Sequence, residues 1–237
     1  MIWEDQYIAW RAAQDVHETD LPERAIIRAT RNAARKGGVL DNSEAWAWVE
    51  RAFLDERRWF VAAVFGHPSA PRRIADRLFR AGVLEKDPSA NRWLIEPAVA
   101  VLGGPAALER LLGYLRDGSY EEKAGAASAL YWVRPRETDS GYAELLVSVR
   151  NEMLRQFVSC PDLTVLRRIV PMLSMNPAHY SKDVAPLLKT AIAKARRHAD
   201  DYVRHRIAVQ LGEERALRPI PPSPAKRRWW QRLTGRG

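Results

Sequence analysis

The chain carries the same short pattern twice: an apolar helical stretch containing Ile-x-Pro, then a helix-breaking residue, then a proline that can open another helix. The first copy spans 93–105 and the second spans 168–177. Proline interrupts the hydrogen bonds of a helix interior but fits its first turn, so each copy predicts the end of one helix and the start of the next. Such repetition is typical of stacked helices that bury their apolar faces against their neighbours.

Helical periodicity continues along the chain, and no segment shows the sustained alternation of a half-buried strand, so we expect an all-α protein. Asp87-Pro88 and Asn176-Pro177 each place an N-cap acceptor before a proline, and Ser119 with Glu122 predicts a capping box. The predicted helices cover 2–17, 21–36, 43–54, 57–66, 70–81, 88–102, 105–116, 120–133, 140–159, 161–174, 177–198 and 201–216.

Two of these helices resemble the first helices of HEAT repeats, whose pattern is Asp-x-x-Val-Arg-x-x-Ala-x-x-Leu-Gly. The segment 201–212 matches this pattern with one shift, and 126–130 has its small and apolar residues after the turn at 117–119. The segment 57–66 is a weaker third copy. Predicted pair starts near 88, 120, 161 and 201 have a spacing close to the HEAT repeat length of about 40–47 residues.

The resemblance to HEAT repeats implies a right-handed α-solenoid of antiparallel helix pairs over 57–216. Residues 1–56 would form an N-terminal helical cap, and 217–237 would form a Pro-rich linker with a flexible basic tail. HEAT-like arrays mostly bind other proteins on their concave surface, so the resemblance implies a non-enzymatic interaction scaffold or adaptor whose partner is another protein.

The formal net charge of +9 makes nucleic acid an alternative partner. However, five cations and no acid lie in 219–237, so more than half of this charge belongs to the tail. There a proline-rich spacer precedes a basic, tryptophan-containing segment, which would serve as a second contact or attach to an anionic membrane surface. A solubilising tail is the competing interpretation. The tail contact residues would be Lys226, Arg227, Arg228, Trp229, Trp230, Arg232 and Leu233.

Two predicted helices have cations opposite their apolar sides, and as second helices of HEAT pairs they would line the concave face. One cationic row lies opposite Ile74, Leu78 and Phe79, and the other lies opposite the apolar residues of the helix 177–198. The rows are interrupted between these helices, so an ordinary solvated face is the alternative. The candidate cations for partner binding are Arg73, Arg77, Arg80, Arg110, Lys182, Lys189 and Arg196.

Nine tryptophans are many for 237 residues. Trp3, Tyr7 and Trp10 recur on one face of the first predicted helix, which favours core packing. Trp48 lies off the centre of the apolar face of its helix. It is therefore the best candidate for an exposed aromatic contact, although core packing is the simpler interpretation.

Enzymatic signatures are missing from the sequence. It has no phosphate-binding loop or nucleophile turn, its five histidines are scattered, and Cys160 lies at a predicted helix boundary. We expect no catalytic residue, metal, cofactor or small-molecule substrate. Membership of the HEAT-like alkylpurine DNA glycosylases is only a remote alternative. No convincing catalytic aspartate follows a tryptophan of the predicted repeats, as that activity would require.

The expected location is cytoplasmic, with peripheral membrane attachment through the tail as an alternative. No apolar run approaches the roughly 20 residues that cross a bilayer. The first five residues are acidic where a secretory signal would be basic.

Overall fold

The computed structural model of this chain describes residues 2–14, 21–36, 43–66, 70–134 and 139–213. Within these ranges it contains twelve α-helices and no strand, which confirms the predicted all-α class. The helices are α1 (Ile2–Gln14), α2 (Leu21–Lys36), α3 (Ser43–Ala52), α4 (Arg58–Phe65), α5 (Arg72–Val83), α6 (Arg92–Leu102), α7 (Gly104–Asp117), α8 (Tyr120–Ala129), α9 (Tyr142–Ser159), α10 (Leu163–Ile169), α11 (Leu187–Arg197) and α12 (Asp201–Gln210).

Short 3-10 turns occur at Leu130–Trp132, Val170–Met172 and Pro177–His179. Among the described helices, none has both the length and the apolar character that crossing a bilayer would need.

Side-chain caps are present at the starts of α8 and α12. The Ser119 hydroxyl accepts a hydrogen bond from the backbone N–H of Glu122 at 3.2 Å, and the Glu122 carboxylate accepts one from the Ser119 N–H at 2.9 Å. This reciprocal pair confirms the predicted capping box at the start of α8. At α12 the Asp200 carboxylate caps the first turn by accepting from the N–H of Val203 at 3.1 Å.

Of the two predicted helix starts at prolines, the one at Pro88 is wrong, whereas Pro177 starts a 3-10 turn that Asn176 caps by accepting from the N–H of Ala178 at 3.0 Å. The Asp87 carboxylate accepts from the backbone N–H of Ser89 at 2.8 Å, and the resulting turn delays the start of α6 to Arg92. A side chain that bonds to its own backbone in this way competes with helix formation. The predicted helix 177–198 is likewise divided into a 3-10 turn and α11, which begins at Leu187.

The two Ile-x-Pro copies also end their helices differently. Pro97 lies inside α6, which continues to Leu102 and ends at Gly103 with a φ of 85°. In contrast, α10 ends at Ile169, and Pro171 lies in the 3-10 turn that follows. Only the first copy therefore keeps a proline within a continuous helix.

From α5 onward the helices pack as successive pairs. Helix α5 lies along α6, α7 along α8, and α11 along α12, with a smaller contact between α9 and α10. In addition, α7, α9 and α11 contact one another in chain order, and so do α8, α10 and α12. We call the first set, together with α3 and α5, the odd-numbered layer, because ion pairs join α3 to α5 and α5 to α7. The backbone of α5 itself packs against α6 and α8.

Ion pairs connect successive helices of the odd-numbered layer. Three of the four pairs join one helix of the layer to the next, and the fourth joins α9 to the turn that precedes α11. Except for Glu152, whose side chain is only 10% exposed, the paired side chains are at least partly exposed, and exposed pairs contribute at most about 1 kcal/mol each. The pairs are Glu50 with Arg77, Asp76 with Arg110, Arg116 with Glu152, and Arg155 with Asp183.

One apolar core extends from Trp3 in α1 to Ile207 in α12. At its N-terminal end the Trp3 ring lies 5.8 Å from the rings of both Trp48 and Phe65. Trp3 and Trp10 are only 6% and 4% exposed, which confirms their predicted place in the core. These aromatic contacts join α1 and α3 to α4.

Candidate functional site

A groove crosses the odd-numbered layer where α3, α5 and α7 lie next to one another. It consists of two adjoining depressions of about 630 Å³ each, and Arg77 and Arg80 line both. Arg110 of α7 lines the second depression. This α5 groove therefore brings together three of the cations that the sequence analysis proposed for partner binding.

Helix α5 presents the groove because its two faces differ sharply. Ile74, Leu78 and Phe79 are at most 1% exposed, whereas Arg77 and Arg80 are exposed. The helical period of 3.6 residues places these two sets on opposite sides. The predicted division of α5 into a buried face and a cationic face is confirmed.

Carboxylates of neighbouring helices neutralise two of the groove arginines. The Arg77 guanidinium lies 2.5 Å from the carboxylate of Glu50 on α3, and the Arg110 guanidinium lies 2.5 Å from that of Asp76 on α5. Arg110 also donates to the carbonyl of Ala106 at 2.8 Å. A guanidinium already engaged in this way has fewer donors and less net charge to offer a phosphate.

Arg73 does not line the groove. Its guanidinium carbon lies 4.4 Å from the ring centroid of Trp46, which is a cation–π contact. Arg73 is exposed on α5 like Arg77 and Arg80, but its guanidinium contacts Trp46 of α3.

Two further arginines of the groove remain available. For Arg51 and Arg80, the described residues provide no carboxylate within ion-pair distance. Tyr114 lies beside Arg80, and burial raises the pKa of its phenol while the positive charge of Arg80 opposes that shift. The tyrosine hydroxyl is therefore protonated at neutral pH and can donate a hydrogen bond next to the free guanidinium.

Apolar side chains complete the first depression. Leu54 is 84% exposed and Leu84 is 36% exposed, while Phe53 packs partly against the core. Leu54 is not among the predicted contacts, because the predicted helix 43–54 includes it. The residue that indicates an earlier helix end is Asp55, whose carboxylate accepts a hydrogen bond from the backbone N–H of Arg57 at 2.9 Å in the turn after α3.

The second predicted cationic row does not form as expected. Lys182 lies before the first residue of α11, so it cannot share a helical face with Lys189 and Arg196. The Arg196 guanidinium lies 2.5 Å from the carboxylate of Glu213. Of the predicted row, Lys189 is the one cation on α11 that is exposed and has no ion pair among the described residues.

The prediction that Trp48 provides an exposed aromatic contact is wrong. Trp48 is 2% exposed, and its indole N–H donates to the carboxylate of Glu4 at 2.6 Å. It packs against Trp3 and Phe60 in the N-terminal aromatic cluster. All seven predicted tail contacts, from Lys226 to Leu233, lie outside the described residues.

Three features of the described ranges concern the metal-ligating and nucleophilic side chains. No three side chains of His, Cys, Asp or Glu there come together in a way that could hold a metal ion. Cys160 is buried. The hydroxyl of Ser174 lies 2.8 Å from Nδ1 of His179, but it also accepts from the N–H of Asn176 within the same turn. This pair organises the turn between α10 and α11.

Comparisons of this chain with protein-family models, with curated proteins and with solved structures find no match. The resemblance to HEAT repeats therefore stays a prediction from the sequence.

Proposed function

We propose that this chain is a non-enzymatic adaptor, built as a right-handed α-solenoid of HEAT-like helix pairs and located in the cytoplasm. The pairwise packing from α5 to α12 and the chain-ordered contacts within the layers support this proposal. In such arrays each pair contacts mainly its neighbours, which leaves a long continuous surface for a partner. A cap over 1–56, a solenoid over 57–216 and a basic tail are parts of the same proposal.

The α5 groove is the proposed partner-binding site. The observation that carries this assignment is Leu54, which is 84% exposed beside Arg51 and Arg80. Burying a leucine side chain contributes about 1.5–3 kcal/mol, so a partner that covers Leu54 gains binding free energy. A partner segment that alternates apolar and acidic residues would also pair with both guanidinium groups.

Co-purification from native extract tests this site. The bait proteins are the full chain, a groove variant with Leu54→Ser and Arg80→Glu, and a control variant with Lys189→Glu on α11. We expect one protein to be recovered with the full chain and the control but to be lost with the groove variant. An acidic, apolar peptide taken from that protein should then displace it.

A partner that binds all three baits equally would overturn the assignment to the α5 groove. Circular dichroism of the variants must match that of the unchanged chain. All three substitutions lie on exposed side chains, so we expect no effect on folding.

Nucleic-acid binding is less well supported as a function of the helical region, since Arg77 and Arg110 already pair with carboxylates. A nucleic-acid site would require affinity that falls steeply with salt and persists without 219–237. The tail is proposed only as a tethered second contact that raises the effective concentration at the groove.

A further inference from the structure

A separate cavity of about 740 Å³ lies between α1, α2, α4 and α6. Three tryptophans line it: Trp10, Trp59 and Trp93. The small residues Ala62, Ala63 and Ala100 leave space between these rings. None of its lining residues takes part in the α5 groove.

Trp93 is the most exposed of the three tryptophans, with a relative exposure of 64% at the start of α6. Indole is costly to leave in water, and exposed tryptophans are enriched where a protein binds a ligand or partner. Trp10, by contrast, is 4% exposed and belongs to the core. The cavity thus extends from a buried indole to an exposed one.

The cavity also contains a negative charge that the described residues do not neutralise. The Glu23 carboxylate accepts from the indole N–H of Trp10 at 3.0 Å and from the side-chain amide of Gln14 at 3.4 Å. Both donors are neutral, so they orient the carboxylate without cancelling its charge. The other lining carboxylate, Glu96, is paired with Arg92 at 2.9 Å.

Two rings of the cavity already attract cations of this chain. The Arg58 guanidinium lies 5.2 Å from the centroid of the Trp59 ring, and that of Arg92 lies 5.7 Å from the Trp93 ring. An indole is the best aromatic partner for a cation, through the negative face of its π system. Aromatic faces together with a carboxylate that lacks a cationic partner define a site for a ligand that is both apolar and positively charged.

We propose that this cavity binds an organic ammonium cation of the quaternary type. Its methyl groups contact Trp59 and Trp93, and its charge is balanced by Glu23. Recognition of quaternary ammonium by aromatic rings uses the same interaction. This site is independent of the partner-binding function proposed for the α5 groove.

Choline and its neutral isostere 3,3-dimethylbutan-1-ol provide the test, with binding to the full chain measured by calorimetry and tryptophan fluorescence. We expect saturable binding of choline, with the isostere weaker by about tenfold because it lacks the charge. The quaternary ammonium group can belong to a small molecule or to a methylated lysine of another protein, and a peptide containing trimethyllysine distinguishes these two sources. Tighter binding of the peptide would indicate a methylated protein, and tighter binding of choline would indicate a small molecule.

Variants identify the cavity as the binding site. Glu23→Gln keeps an acceptor for the Trp10 indole but removes the charge, and Trp93→Ala removes one exposed ring. We expect each to weaken choline binding by about tenfold. Tyr202→Ala on α12 is the matched control, because it removes an exposed ring from outside the cavity.

Equal affinity for choline and its neutral isostere would overturn the proposal, as would unchanged binding in Glu23→Gln. The groove variant Leu54→Ser with Arg80→Glu should bind choline normally. Loss of partner capture with retained choline binding would therefore separate the two proposals.

Discussion

Gly125 allows α8 to approach the end of α5 more closely than any other residue could. A Cβ atom at Gly125 would lie 1.7 Å from the carbonyl oxygen of Val83. Alanine there forces the two helices apart, so we expect Gly125→Ala to lower the free energy of unfolding by about 3 kcal/mol. Urea denaturation followed by circular dichroism measures this change.

Gly113 in α7 is the matched control for this substitution. It is also a helical glycine, but a Cβ there would have no atom within 4 Å. Gly113→Ala should raise the free energy of unfolding by about 0.5–1 kcal/mol, because alanine favours the helix. Equal effects of the two substitutions would contradict the role of close packing at Gly125.

Single residues also show what the sequence could not predict. Trp48 and Leu54 both lie near the end of α3, yet Trp48 is 2% exposed and Leu54 is 84% exposed. From the sequence, Trp48 is the best candidate for an exposed aromatic contact, and the predicted helix 43–54 includes Leu54. The outcome depends on where the chain turns after Ala52, because that turn decides which side chains meet α1 and α4.

At the scale of elements, Asp200 connects α10 to α12. Its carboxylate caps α12 through the N–H of Val203 and accepts from the guanidinium of Arg167 at 2.5 Å and 3.2 Å. Asn at this position keeps the cap but loses the charge. Because Arg167 is half exposed, we expect Asp200→Asn to lower the free energy of unfolding by only about 1 kcal/mol at neutral pH.

The effect of Asp200→Asn should depend on pH. The hydrogen bonds from Arg167 hold the pKa of Asp200 below its ordinary value of 3.8. Its contribution is therefore fully present above that value and is lost as the pH falls through it toward the lower pKa of the folded state. Thermal unfolding across this range should show the two proteins converging in acid.

Asp201→Asn makes the same change one residue along, where the side chain is 94% exposed. We expect it to change the free energy of unfolding by less than about 0.5 kcal/mol. A pH-independent difference between the unchanged chain and Asp200→Asn would contradict the role of the Arg167 contact.

For the whole molecule, the question is whether its helices unfold locally or together. Ile207 in α12 is fully buried, so Ile207→Ala should destabilise its surroundings by about 2–5 kcal/mol. If the helices form the proposed solenoid, the loss stays with nearby helix pairs. Hydrogen exchange should then rise in 187–210 and remain unchanged in 58–83.

A uniform rise in exchange over the described helices would indicate one cooperative globular unit and contradict the solenoid proposal. Val203 lies in the same helix and is also buried, so Val203→Ala should reproduce the regional pattern with a smaller amplitude. Tyr202→Ala, at a residue that is 40% exposed, serves as the unperturbed comparison.

The sequence by itself determined the all-α class and several helix starts, because helical periodicity and capping depend on residues within a few positions of one another. The capping box of Ser119 and Glu122 is such a case. Only the tertiary structure decided which cations remain available. Glu50 pairs with Arg77 and Asp76 with Arg110 across 27 and 34 positions, and these contacts depend on how the helices pack. Charge in the sequence specifies which groups can attract each other, whereas packing sets the distances at which they do.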